Sequence, residues 1–94
     1  MNQLSDEDLY TQLSVAPSRA FQVLYDRHSG PLFRFIYRFT VNRESAEEIL
    51  HDIFTLLLSG KFRQNDEGSL KSWFYTLAKN KSLNFLKKAS FEIK

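Results

Sequence analysis

Apolar positions recur along this chain with the period of a helix, in successive stretches separated by turn residues. Ser5, followed by Asp6, Glu7 and Asp8, reads as an N-cap with a carboxylate three residues on, and Leu9 and Leu13 then sit at i, i+4. This predicts a short helix over 5–15, ended by Pro17, with Ser18 able to cap the next one. Ala20, Phe21, Leu24 and Tyr25 share one face, and Leu32, Phe35, Ile36 and Phe39 continue it. Gly30-Pro31 falls between them. Pro31 cannot donate to the carbonyl four residues back, yet the apolar phase is kept, so a kinked helix is expected. Asn42 can cap a third helix whose stripe is Ala46, Ile49, Leu50, Ile53, Phe54 and Leu57, with Gly60 as its closing residue. After a polar loop over 61–68, Ser69 caps a fourth helix running to about residue 88. Its stripe is Leu70, Trp73, Phe74, Leu77 and Ala78.

The prediction is an all-α fold, a small bundle of about four helices. Residues 1–17 form an N-terminal short helix and linker, and residues 18–94 form the main helical domain. Composition agrees, with 13 Leu and 9 Phe but only three Gly and two Pro in 94 residues. Without cysteine, disulfides and zinc–thiolate or iron–sulfur sites are excluded. No apolar run is long enough to insert in a membrane, and the N-terminus is acidic where a signal peptide needs positive charge, so a cytoplasmic location is expected.

Enzyme chemistry finds no support. Glu48 and His51 have the spacing used by carboxylate-bridged metal sites, but those need a second copy and further carboxylates. His51 and Asp52 are adjacent, about 100° apart on a helix, and cannot orient each other as a catalytic pair. No glycine-rich phosphate loop or nucleophile elbow occurs. Neither cofactor nor metal is expected.

Charge distribution is more informative. Residues 1–60 hold 5 Lys/Arg against 8 Asp/Glu, and residues 61–94 hold 8 against 3. Glu48, His51, Asp52 and Thr55 cluster opposite the core stripe of the third helix, with Glu47 at the edge, making an acidic strip. On the fourth helix Ser72, Tyr75, Thr76, Lys79, Asn80 and Lys87 point away from the core, and the loop adds Lys61, Phe62, Arg63, Gln64 and Asn65. Cations, amides and aromatics interleaved in this way suit single-stranded nucleic acid: cations track phosphates, amides read base edges and rings stack on bases. Leu83 and Leu86 fall on the same outer side and imply a covering partner or further chain.

Three stretches, in this order, resemble the region 2 domain of the extracytoplasmic-function (ECF) sigma factors of bacterial RNA polymerase. AFQVLYDRHSGPLFRFIYRFT is similar to the family's first conserved helix, SAEEILHDIFTLLL to its second, and SLKSWFYTLAKNKSLNFLKK to its W-x-Y-x-x-A-x-N helix with a terminal basic pair. The resemblance implies that Glu47, Glu48, His51 and Asp52 bind the clamp helices of the polymerase β′ subunit. It implies that the loop over 61–68, with Lys71, Tyr75, Thr76, Lys79 and Asn80, recognises and opens the promoter minus-ten element. The non-template strand would then be held with a base flipped out, and Asn80 would read the upstream edge. An anti-sigma protein is a further implied partner. His51 replaces the usual glutamine, which implies weaker or pH-tuned clamp binding, and Thr76 and Lys79 stand where arginines are common. The family continues through a linker to a helix-turn-helix domain, which these residues do not supply. The alternative is a helical protein-interaction adaptor that uses the acidic face alone, without DNA binding.

Overall fold

The computed structural model describes residues 3–63 and 68–92. Those residues form four helices and no strand: α1 (Asp6–Gln12), α2 (Pro17–Thr40), α3 (Arg43–Leu58) and α4 (Leu70–Glu92). The all-α bundle is as expected, and none of these helices is long and apolar enough to cross a membrane.

Local rules explain most of the boundaries. Ser5 Oγ accepts from the Asp8 N–H (3.1 Å), Asn42 Oδ1 from the Ser45 N–H (2.8 Å) and Ser69 Oγ from the Ser72 N–H (3.1 Å). At the end of α3, Gly60 sits at φ +71. Its N–H donates to Leu57 and that of Lys61 to Leu56, the paired bonds of a glycine-terminated helix. The entrance to α2 differs from expectation. Pro17 opens that helix instead of only ending the previous one, and Ala16, not Ser18, is the N-cap. Proline at the first helical position needs no N–H partner and arrives with φ already set. It also forces Ala16 out of the helical region (φ −135, ψ 70), and α1 itself ends at Gln12.

Helix α2 runs unbroken from Pro17 to Thr40 through the exposed Pro31. Its buried residues are Ala20, Leu24, His28, Leu32, Ile36 and Thr40, a ridge with a spacing of four. Only Val41 and Asn42 join it to α3. Val41 is left-handed, at φ +47, with its side chain in water. For a β-branched residue that conformation costs roughly 1–2 kcal/mol. The corner is locked by Thr40, whose hydroxyl donates to the Asn42 carbonyl (3.1 Å) and accepts from the Asn42 N–H (3.3 Å).

Helix α2 is the spine against which α1, α3 and α4 pack. An aromatic chain ties the layers together. Tyr10 meets Phe62, Phe62 meets Trp73, Trp73 meets Phe74, Phe74 meets Phe54, and Phe54 meets Tyr25 and Phe21, with centroids 5.0–5.8 Å apart. Such pairs add about 0.5–1.5 kcal/mol each beyond the area they bury.

The short α1 belongs to this core, since Leu9 is fully buried. Polar contacts fasten it to α2. Arg27 Nη1 donates to Asp6 Oδ1 (2.7 Å) and to the Leu4 carbonyl (3.1 Å), and His28 Nε2 lies 2.9 Å from Asp6 Oδ2. Burial pushes the Asp6 carboxyl up, but the contacts with His28 and then Arg27 outweigh it and hold the group below its ordinary 3.8. A lowered carboxyl stabilises the fold above its unfolded value and loses that contribution as pH falls through its folded value. Asp6→Asn is therefore expected to melt below wild type at neutral pH, with the gap closing under acid, below about pH 4. Parallel thermal melts down to about pH 2.5 check this, and a gap that stays constant would rule the Asp6 charge out as its source.

Candidate functional site

The acidic strip of α3 is real, but it is divided. Glu47, Glu48, His51 and Asp52 are all exposed. Glu47 and His51 line an open groove of about 570 Å³ between α2 and α3, floored by Phe21, Tyr25, Leu50 and Phe54. Glu48 and Asp52 line a smaller groove of about 280 Å³ on the other side, facing Phe85 and Lys88 of α4. Each pair is spaced i, i+4 and so stays together, while neighbours turn about 100° apart. Glu47 is also paired with Arg43 at 3.0 Å, one turn earlier. Both groups are more than half exposed, so the pair holds little energy, but it lowers the charge offered on that side. Thr55 spends its hydroxyl on the His51 carbonyl (2.9 Å).

On α4 the expected facing holds for most residues. Lys71, Ser72, Thr76, Lys79, Asn80 and Lys87 are exposed, as are Lys61 and Arg63 on the entering strand of the loop. Leu83 and Leu86 stand 44% and 40% exposed on this helix. Gln64 and Asn65 lie outside the described residues. Tyr75 differs from its expected orientation. It is half-buried, edge-on to Phe35 with centroids 5.2 Å apart, so much of its ring is committed to α2.

Phe62 departs furthest from expectation. It was expected among the loop residues offering a ring to a base, and instead it is 3% exposed, held between Tyr10 and Trp73. A polar loop needs an anchor on the core, and the single apolar side chain within 61–63 supplies it. Trp73, by contrast, is buried as its place on the core stripe predicts.

Sequence reasoning missed two residues of α1 that bear on the loop. The Tyr10 hydroxyl donates to the Phe62 carbonyl at 3.0 Å. Glu7 Oε2 accepts from the Leu70 N–H, the first amide of α4, at 2.7 Å. The contacts span 52 and 63 residues, and pairings that distant leave no periodic signal in a single sequence. Among the described residues no group of three or more His, Asp or Glu could hold a metal ion.

The family model for sigma-70 region 2 matches residues 24–92, most of the chain. The chain belongs to the sigma-70 region 2 family. The matched region 2 span takes in α3, α4 and most of α2, and leaves α1 outside it. A curated relative, the ECF RNA polymerase sigma factor SigX of Bacillus subtilis (strain 168), is 22% identical over 68 residues. That stretch is 72% of this chain and 35% of the relative, so the match spans about a third of the relative's length. No solved structure matches the chain. The region 2 assignment and the ECF resemblance therefore rest on sequence, and the four-helix arrangement agrees with both.

Proposed function

We propose that this region 2 chain is a promoter-recognition module that acts with RNA polymerase and performs no catalysis of its own. The observation that carries this reading is the family match over residues 24–92. It is supported by an exposed acidic face on α3 and an exposed basic face on α4, each suited to a partner of opposite charge. In this reading Glu47, Glu48, His51 and Asp52 meet the β′ clamp helices, with Glu48 and Asp52 carrying more because Glu47 is already paired with Arg43. Lys61, Arg63, Lys71, Lys79 and Lys87 contact phosphates of the minus-ten element, while Asn80 and the loop amides of Gln64 and Asn65 discriminate bases. Tyr75 and Thr76 lie between these groups, with the Tyr75 ring half-buried against Phe35. The preferred strand is the single, non-template one, because an unpaired base costs a few kcal/mol less to extract. An anti-sigma protein competing for either face fits the same surfaces.

Two substitutions separate phosphate contact from base reading. Lys79→Ala is expected to weaken single-strand binding about equally for all sequences and to reduce the salt slope by about 0.7. Asn80→Ala is expected to shrink the difference between a matched and a scrambled strand. Binding titrations at low salt check both. Equal affinity for closed duplex and for a bubble, with discrimination intact in Asn80→Ala, would leave α4 as only a basic surface. The adaptor reading, which uses the acidic face alone, would then stand.

The polymerase face has its own test. Reversing the charge of Glu48 and Asp52 together is expected to weaken capture of core polymerase by more than about 1 kcal/mol per residue if the pairs are desolvated. Folding should be unaffected within roughly 0.5 kcal/mol. Undiminished capture would place the clamp elsewhere.

A further inference from the structure

The connection between α3 and α4 enters through Phe62 and leaves through Leu70, and α1 holds both of these residues. Tyr10 Oη donates to the Phe62 carbonyl (3.0 Å) while its ring meets the Phe62 ring edge-on at 5.1 Å. One turn earlier on the same helix, Glu7 Oε2 accepts the first amide of α4 (2.7 Å). Helix α1 is in turn pinned to α2 by the Asp6 contacts with Arg27 and His28, and to the core by Leu9. It is a strut from the spine of the bundle to the start of the basic helix.

Ser69 caps α4 by accepting the Ser72 N–H, and its carbonyl accepts the Trp73 N–H, which leaves the Leu70 amide to Glu7. The carboxylate adds a directional, charge-assisted bond to the positive end of the helix, from an element outside the family match. That bond meets the first residue of the helix that carries Lys71, Thr76, Lys79 and Asn80. We propose that Glu7 and Tyr10 are positioning residues for strand recognition, bracing the two stems of the α3–α4 connection so that the α4 face meets bases in one register. The proposal rests on the promoter-recognition reading.

The test uses the full chain, amide exchange at Leu70, and a single-stranded DNA sequence that the wild type enriches from a randomised pool, with its scrambled counterpart. In Glu7→Ala, exchange at Leu70 is expected to speed up about five-fold, the size of a lost cap, and the matched-to-scrambled affinity ratio to fall by a similar factor. Affinity for the scrambled strand and its salt slope should stay at wild-type values. Glu7→Gln keeps an acceptor oxygen and should restore most of both. Tyr10→Phe keeps the ring and loses only the hydrogen bond, so its matched-to-scrambled ratio, expected to fall as well, tests the Phe62 stem even if Glu7→Ala folds poorly. Unchanged exchange at Leu70 overturns the brace itself. Faster exchange with a wild-type affinity ratio overturns the positioning role and leaves a merely structural contact. A wild type that enriches no sequence overturns the promoter reading and this proposal with it, an outcome distinguished by needing no variant.

Discussion

Phe74→Ala is expected to lower the unfolding free energy by about 3–5 kcal/mol, the largest effect of any single truncation in this bundle. Phe74 is fully buried, and its ring meets His28 at 5.0 Å, Phe54 at 5.2 Å and Trp73 at 5.7 Å. It is the one side chain among these rings that touches the aromatic groups of both α2 and α3 from α4. Small domains hold about 5–15 kcal/mol in total, so the variant should lose a large share of its stability. Urea denaturation gives the measurement. A midpoint within about 1 kcal/mol of wild type would mean that the core closes over the gap, or that α4 packs by another face.

Phe62→Ala is expected to cost roughly 3 kcal/mol of stability, although the residue lies in a polar loop next to the basic helix. Its ring is buried against Tyr10 and Trp73, and removing it opens a cavity where α1, the loop and α4 meet. A ring that stacked on a base would behave in the opposite way, leaving stability alone and weakening single-strand binding by about 1–3 kcal/mol. Melting and strand titration of the same variant decide between the two. Wild-type stability with weakened strand binding would return Phe62 to the nucleic-acid surface.

The contrast between Phe62 and Trp73 indicates what could be read from the sequence. Trp73 sits on a helix whose period announces its face, and it is buried as that period requires. Phe62 sits in a loop, where no period exists, and its neighbours in sequence are Lys61 and Arg63. Caps at Ser5, Asn42 and Ser69 and the closing Gly60 were legible because each depends on residues within four positions. The entrance to α2 was misread because Pro17 can both end one helix and open the next, and sequence alone weighted the first role. His28 lies on the buried ridge of α2, but a histidine there needs a partner, and Asp6 is 22 residues away in another helix. The charged faces were legible as faces. Their division by the two grooves depends on how α2 and α4 flank α3, which is tertiary information.

The corner at Val41 has a mechanical consequence for the larger groove. Helices α2 and α3 are antiparallel arms joined by two residues, strained at one and cross-bonded at the other. The arms cannot separate at that end without breaking the Thr40–Asn42 lock, so the groove is narrowly fixed beside Arg34 and Arg43. At the far end Phe21 and Leu58 line the groove, with Leu58 more than half exposed. The groove therefore has a joined end beside Arg34 and Arg43 and an open end beside Phe21 and Leu58.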